Sequence, residues 1–115
     1  MRCYVVDEIP ADTLEKLEKT LDERGYASSI EKLYWIPLEA RHLLPVQQEH
    51  TASCGPHCLA LEILDGGVRL EFLVRAQGRM RCECVSYPSP ETERDMMLWL
   101  DARLKEASSA SSLPQ

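Results

Sequence analysis

The chain has 115 residues, a formal net charge of −6 at pH 7 and 44% hydrophobic residues. This length corresponds to one domain, and the hydrophobic content is that of a folded globular protein. The negative charge argues against nucleic acid or an anionic membrane as a general partner. The N-terminus lacks the apolar stretch of a signal peptide, and no apolar run approaches the ~20 residues that span a bilayer, so we expect a cytoplasmic protein.

A strand and a helix are predicted at the start of the chain. Residues 3–6 are mostly β-branched or aromatic, which is typical of a strand. Asp12 and Glu15 have the spacing of a helix capping box, and Gly25 suits the position just after a helix. The leucines between them recur at helical spacing and predict one buried stripe: Leu14, Leu17 and Leu21.

The middle of the chain predicts a buried strand followed by a long connection. Residues 30–36 are apolar on both faces near their end, and Pro37 ends the strand. Residues 37–56 have no clear period, except that Pro45 suits the opening of a short polar helix over 46–52. Long connections in compact domains are often functional, so this segment is a candidate for function.

The best-determined part of the sequence is a three-stranded antiparallel meander. The Asp-Gly pair at 65–66 predicts a type I′ hairpin turn, and residues 76–78 suit a three-residue turn with Gly78 in the left-handed conformation. The two turns set six apolar pairs on one face: Ile63–Val68, Leu61–Leu70, Leu59–Phe72, Val74–Met80, Phe72–Cys82 and Leu70–Cys84. On the other face Glu62 lies opposite Arg69, a favourable charge pair.

A helix is predicted to close the fold. Ser89 is a good N-cap and Pro90 suits the first helical position. One face of this helix is apolar and consists of Met96, Met97, Leu100, Leu104 and Ala107. Residues 1–107 are expected to form a single domain, and the serine-rich residues 108–115 a loose tail.

These elements predict an α+β fold of two layers. A mixed or antiparallel sheet of about five strands packs one face against two amphipathic helices. The expected order is β-α-β-(short helix or loop)-β-β-β-α, with the meander as the last three strands.

All three histidines and two of the five cysteines lie between residues 42 and 58. If the helix at 46–52 continues for one more turn, His50 and Cys54 share a face, His57 follows, and Cys58 or His42 completes a set. Histidine and cysteine are the usual ligands of zinc and of other transition metals. The main expectation is that the protein has no cofactor. If this segment does bind a metal, the candidate ligands are His50, Cys54, His57 and Cys58, and zinc is the ion that they would suit. Thiol chemistry at the same segment is an alternative, and structural or solvated histidines are another.

A zinc site that combines Cys54 and Cys58 with Cys82 and Cys84 is disfavoured. The predicted register puts Cys82 and Cys84 on the core face of the meander and Cys58 on the opposite face. Side chains on opposite faces of a sheet cannot ligate one ion. Cys82 and Cys84 are instead expected to be small buried hydrophobes.

A basic group is predicted on the outward face of the meander. Arg75 falls directly opposite Arg79, although like charges across a ladder are unfavourable. Arg75, Arg79 and Arg81 are therefore candidates for binding an anion or an acidic partner. The alternative is a solvated face that the neighbouring glutamates balance.

The last helix carries a candidate interface. Leu98 lies about 160° from the middle of the apolar stripe at 100° per residue, and its neighbour Trp99 is at best half covered. This pair predicts a contact with a second copy of the chain or with a partner protein. Since no known catalytic motif is present, we expect a non-enzymatic ligand- or protein-binding module. A metal-binding or thiol-active protein that uses residues 42–58 is the alternative.

Overall fold

The computed structural model describes residues 2–50, 55–76 and 86–112, and of residues 109–112 the backbone only. Within these ranges the elements are β1 (Cys3–Val6), α1 (Ala11–Glu23), β2 (Leu33–Pro37), α2 (Pro45–Glu49), β3 (His57–Leu64), β4 (Gly67–Glu71), β5 (Arg75–Ala76) and α3 (Pro90–Ser112). A single 3-10 turn, Ala40–His42, precedes α2. The predicted α+β class and the alternation of its strands and helices are confirmed. The fifth strand lies at 75–76, where the end of the fourth strand and a turn were predicted, while the predicted fifth strand at 80–84 lies outside the described residues.

The five described strands form one antiparallel sheet in the order β1-β4-β3-β2, and β5 pairs with the start of β3. The predicted register of the first hairpin is confirmed, since Leu61 lies opposite Leu70. On the outer face Glu62 and Arg69 form the expected ion pair. The turn at 65–66 is not the predicted type I′. That turn type needs a positive φ at both residues, whereas Gly66 has a φ of +77° and the φ of Asp65 is not positive.

The register changes between β4 and β5. Leu61 is opposite Leu70, whereas Cys58 is opposite Arg75. Between these two pairs β3 contains residues 59–60, and the chain from β4 to β5 contains residues 71–74, which is two residues more. A bulge of this kind bends a strand and interrupts its ladder. The predicted pair of Leu59 with Phe72 is therefore wrong.

The second predicted hairpin is described only at its ends. The Val74 N–H donates to the Ser86 carbonyl at 2.8 Å, and the two residues form an antiparallel bridge. The prediction had placed Met80 opposite Val74.

The predicted pairs of Val74 with Met80 and of Leu70 with Cys84 are wrong, because Ser86 lies opposite Val74, and Leu70 lies between Leu61 of β3 and Tyr4 of β1. The predicted pair of Phe72 with Cys82 is also wrong, since the Phe72 N–H donates to the Arg2 carbonyl at 2.9 Å on that edge. The side chains of Met80, Cys82 and Cys84 and the turn at 77–78 lie outside the described residues.

The core lies on one face of the sheet, where α1 and α3 pack side by side. The leucine stripe predicted for α1 is buried, and Leu100 of α3 is fully enclosed. The largest fully buried apolar residues are Leu17, Leu21, Ile36, Leu59, Leu61, Val68, Leu70, Val74 and Leu100. Burial of such side chains is the main favourable contribution to folding.

The start of α1 differs from the prediction. The helix begins at Ala11 with Pro10 at the N-cap position, so Asp12 lies in the first turn and does not cap the helix. The Asp12 carboxylate accepts a hydrogen bond from the Thr13 N–H at 3.0 Å. A carboxylate in the first turn still stabilises the helix through the helix dipole.

The end of α1 is as predicted. Gly25 adopts a left-handed conformation with φ of +79°. Its N–H donates to the Asp22 carbonyl at 3.0 Å, and the Tyr26 N–H donates to the Leu21 carbonyl at 3.1 Å. This is a Schellman motif, which satisfies the last carbonyls of the helix and reverses the chain.

The chain then runs along the free edge of β2. The Trp35 N–H donates to the Tyr26 carbonyl at 2.8 Å, and the Ser28 N–H donates to the Leu33 carbonyl at 3.1 Å. Residues 26–28 therefore cover this edge. The same hydrogen bonds hold Tyr26 beside β2, near the connection that follows it.

The connection between β2 and β3 is held by α2 and by α3. α2 begins at Pro45 as predicted but ends at Glu49, earlier than the predicted 46–52. Gln47 is buried, and its amide accepts from the Leu44 N–H at 2.8 Å and donates to the Ser86 hydroxyl at 2.9 Å. This side chain joins the connection to the segment before α3.

α3 begins as predicted and extends further than expected. The Ser89 hydroxyl accepts a hydrogen bond from the Thr92 N–H at 3.2 Å, which is an N-cap. The helix continues to Ser112, and so it includes residues 108–112 that the sequence had assigned to the tail. Among the described residues, no helix combines the length and the apolar character needed to cross a membrane.

Candidate functional site

The structure separates two of the residues predicted to bind a metal. His57 and Cys58 are neighbours on β3, so their side chains project to opposite faces of the sheet. His57 is on the face that carries the core and is 2% exposed, while Cys58 is on the outer face and is 3% exposed. One ion cannot be ligated by both, so His57 and Cys58 cannot belong to the same metal site. In the part of the chain that the structure describes, no three His, Cys, Asp or Glu side chains are placed to hold a metal.

Burial governs the protonation of these two groups. It raises the pKa of the Cys58 thiol to about 11, so this thiol is neutral at physiological pH and a poor nucleophile. Burial, with the nearby charge of His50 as a smaller cause, lowers the pKa of His57. Cys54 lies outside the described residues, so a metal site that includes Cys54 stays a prediction.

His42 is held in a structural role. Its Nδ1 accepts a hydrogen bond from the Glu39 N–H at 3.3 Å, and its Nε2 lies 3.3 Å from Oδ2 of Asp95. Because Nδ1 accepts, the proton is on Nε2, which donates to the carboxylate. The Thr92 hydroxyl donates to the His42 carbonyl at 3.2 Å. Both ring nitrogens are therefore engaged, and neither is available to a metal or a substrate.

Arg41 forms ion pairs with two carboxylates beside His42. Its guanidinium lies 2.8 Å from Glu39 and 2.9 Å from Asp95. These hydrogen bonds lower the pKa of both acidic groups, so both are ionised at neutral pH. The pair of contacts also ties the connection after β2 to α3.

A cleft of about 340 Å³ opens between these residues and the end of α1. We call it the Trp99 cleft; the lining residues that matter below are Arg24, Tyr26, Ile36, Arg41, Asp95, Met96 and Trp99. Ile36 and Met96 are buried and form an apolar floor, while Tyr26 and Trp99 are half-buried. Glu39 and His42 also line the cleft, so polar and charged side chains surround the apolar floor. Polar groups that converge on an apolar surface can fix the orientation of a ligand.

Three hydrogen-bond donors of the Trp99 cleft are uncommitted. Across residues 2–50, 55–76 and 86–112, the Arg24 guanidinium, the Tyr26 hydroxyl and the Trp99 indole N–H make no hydrogen bond or ion pair. The Trp99 ring lies instead beneath the Arg103 guanidinium, 5.6 Å from the ring centroid, and Arg103 is ion-paired with Glu106 at 2.8 Å. Two carboxylates and two guanidinium groups line the cleft, so its formal charge sums to zero. Arg41 is paired with both carboxylates, whereas Arg24 has no ion pair in the described ranges.

Two other clefts are weaker candidates for a ligand site. The larger, of about 470 Å³, lies beside the first hairpin turn, and its lining cation Lys32 is ion-paired with Glu18 at 2.9 Å. The other, of about 380 Å³, lies on the outer side of β2 and shares Arg24 and Tyr26 with the Trp99 cleft. Arg24 and Tyr26 therefore serve two adjoining concavities at the edge of β2.

One of the arginines predicted to bind an anion lies within the described residues. Nε of Arg75 is 2.8 Å from a carboxylate oxygen of Glu71, so its charge is balanced locally. Arg79 and Arg81 lie outside the described residues. The predicted anion site stays a prediction.

Leu98 and Trp99 face different surfaces of α3. Leu98 is 60% exposed, on the side opposite the core. Trp99 is half-buried and lines the Trp99 cleft together with Arg24 and Tyr26. Sequence reasoning identified Trp99 from its position off the apolar stripe, but no signal indicated Arg24 or Tyr26. Comparison with protein-family models, with curated proteins and with solved structures finds no match for this chain.

Proposed function

We propose that this protein is a non-enzymatic binding module and that the Trp99 cleft is its ligand site. The observation that carries the proposal is the combination of an apolar floor, two half-buried aromatic side chains and three uncommitted donors in one concave surface. Binding sites for small molecules usually join a mostly apolar lining to a few polar groups that orient the ligand.

The state of the nearby reactive groups supports binding over catalysis. Both nitrogens of His42 are engaged, and the carboxylates of Glu39 and Asp95 are held by Arg41. A general base needs a free site within hydrogen-bond reach of the proton that it removes. The histidine and the carboxylates of this cleft are therefore committed to its architecture.

The same contacts support a pre-formed site. Arg41 and His42 both reach Asp95 of α3, and the Thr92 hydroxyl binds the His42 carbonyl. The wall of the cleft is thus linked to α3 by both side-chain and backbone atoms. A pre-organised site binds more tightly because less conformational entropy is lost on binding.

The test is a fragment screen followed by the indole N–H resonances in a two-dimensional ¹H–¹⁵N NMR spectrum. The chain has two tryptophans, so Trp35→Phe and Trp99→Phe assign the two signals. We expect single- and double-ring fragments to shift the Trp99 signal, and Tyr26→Ala to weaken that response. A screen in which no fragment moves the Trp99 signal would overturn the proposal.

A second proposal concerns the exposed side of α3, for which a second copy of this chain is the occupant that the charges favour. If two α3 helices pair antiparallel about Leu98, residues at equal distances on either side of it face each other. Glu91 then lies opposite Lys105 of the second copy, and Arg94 lies close to Asp101 of the second copy. All four side chains are exposed, and each meets a charge of opposite sign. A two-fold contact of this kind is self-complementary.

A further inference from the structure

We infer that the ligand of the Trp99 cleft is a small aromatic monocarboxylate. The inference rests on the proposed function of this cleft as a ligand site and specifies the chemical class that the site accepts. Charge, hydrogen-bonding groups and shape each contribute to it.

Arg24 provides a pairing site for one negative group on the ligand. Glu39 and Asp95 share the positive charge of Arg41, whereas Arg24 is exposed and has no ion pair in the described ranges. A guanidinium binds a carboxylate through two parallel hydrogen bonds, a geometry that a planar anion matches. The charges of the cleft sum to zero, so it offers one unpaired guanidinium and no surplus positive charge. Arg24 can therefore pair with one carboxylate of a ligand.

The uncommitted polar groups are hydrogen-bond donors, so they favour a ligand with hydrogen-bond acceptors. The Arg24 guanidinium and the Trp99 indole N–H can only donate, and the Tyr26 hydroxyl can do so as well. None of the three has an acceptor among the described residues. A carboxylate supplies acceptors alone, so it satisfies these groups without leaving a donor of its own unpaired.

The rest of the lining favours a ligand with a flat, apolar ring system. Tyr26 and Trp99 come from different elements and line the same cleft above the buried Ile36 and Met96. Aromatic rings stack or meet edge to face with other rings. A volume of about 340 Å³ is near the lower end of the range for ligand sites, which suits a compound of one or two rings.

The experiment titrates 2-naphthoate and its neutral isostere 2-naphthamide into the full chain, with the Trp99 indole N–H resonance as the readout. We expect the carboxylate to bind on the order of tenfold more tightly than the amide, as charge-assisted hydrogen bonds are the stronger kind. Arg24→Gln should remove this difference by weakening only the carboxylate. Lys19→Gln is the matched control, because it removes an exposed cation that has no ion pair in the described ranges and does not line the cleft.

Each outcome separates this inference from the proposed function. Equal affinities for carboxylate and amide at the Trp99 signal would overturn the monocarboxylate and leave the ligand site standing. Tighter binding of 2-naphthyl phosphate than of 2-naphthoate would overturn it in favour of a phosphate ester. If neither 2-naphthoate nor 2-naphthamide shifts the Trp99 signal while other fragments do, the inferred ligand class is wrong. If no fragment at all shifts it, the proposed function fails as well.

Discussion

Cys58 is a buried thiol whose chemistry follows from its neighbours on the outer face of the sheet. It lies opposite Pro37 on one side and Arg75 on the other. Burial raises the pKa of the thiol from 9.0 to about 11. The neutral thiol is thus favoured in the folded chain, so this contribution to stability is present below about pH 9 and is lost as the pH rises through 11.

We expect Cys58 to react with iodoacetamide much more slowly than the exposed Cys3 at pH 8. The reason is that both access and the thiolate fraction are low at Cys58. Mass spectrometry of the labelled peptides measures each site separately, and in denaturant the two rates should converge. Equal rates in the native protein would mean that the outer face of β3 is open.

His57 should make the protein less stable in mild acid. Its pKa is lowered below the ordinary 6.5 chiefly by burial and secondarily by His50. The unfolded chain therefore takes up a proton more readily, and stability that is present above pH 6.5 is lost as the pH falls towards the folded pKa. The loss is at most about 1.4 kcal/mol per pH unit for a single group.

Urea unfolding at pH 7.5 and at pH 5.5 tests this assignment. His57→Gln should reduce the difference between the two free energies of unfolding, whatever its effect on stability at either pH. His50→Gln should reduce the difference less, because burial is the larger cause. An unchanged difference in His57→Gln would show that another group carries the acid sensitivity.

At the scale of elements, the contact between β1 and β4 depends on a glycine. A Cβ at Gly67 would lie 2.6 Å from the backbone oxygen of Val6, a distance that forces the two strands apart. A Cβ at Gly25 would meet nothing within 4 Å, although the residue has a positive φ. The two glycines are therefore required for different reasons, one for space and one for backbone conformation.

We expect Gly67→Ala to destabilise the fold more than Gly25→Ala. The alanine at position 25 costs only the strain of a left-handed residue, roughly 1–2 kcal/mol. Chemical denaturation of both variants gives the comparison, and Gly25→Asn should lose less than Gly25→Ala because asparagine tolerates this conformation. A smaller loss for Gly67→Ala than for Gly25→Ala would contradict the close approach of β1 to β4.

Local patterns predicted the elements wherever one interaction dominates. Alternation around the turn at 65–66 predicted the first hairpin and its charge pair, and the helix stop at Gly25 was read from a single residue. The bulge before β5 was missed because apolar alternation continues through Phe72 and Val74, and both are buried in spite of the change of register. Asp12 was assigned to the cap because the sequence does not reveal that the helix begins at Ala11, directly after Pro10.

At the scale of the whole molecule, the candidate site was harder to predict than the fold. Arg24 and Tyr26 follow α1, Arg41 lies after β2, and Trp99 is on α3, and only tertiary packing brings them to one cleft. The histidines and cysteines are close in sequence, yet strand geometry sends His57 and Cys58 to opposite faces. Proximity along the chain was therefore a poor guide, since a strand separates neighbours and packing joins distant residues.

We expect the protein to form a dimer at high micromolar concentration through α3. Leu98→Glu should lower the apparent mass in analytical ultracentrifugation and leave the fold intact, because Leu98 is 60% exposed. Leu100→Glu should instead unfold the chain, since this leucine is fully buried and an unpaired charge would replace it.

Charge exchange provides the matched control for this dimer. Lys105→Glu should weaken the association by placing like charges opposite each other, and the double variant with Glu91→Lys should restore it. A wild-type chain that is monomeric at high micromolar concentration, or a double variant that stays as weak as Lys105→Glu, would contradict the antiparallel pairing.

The segment that covers β2 has a consequence for aggregation. An open strand edge is a template on which another molecule can add a strand, and this is how many proteins begin to form fibrils. Here the backbone groups of Leu33 and Trp35 are already bonded to residues 26–28, so this side of the sheet cannot be extended while that segment stays in place. Because Tyr26 also lines the Trp99 cleft, a ligand bound there would hold the cover closed. Occupancy of the cleft would then disfavour the addition of a strand at this edge, as well as raise the melting temperature.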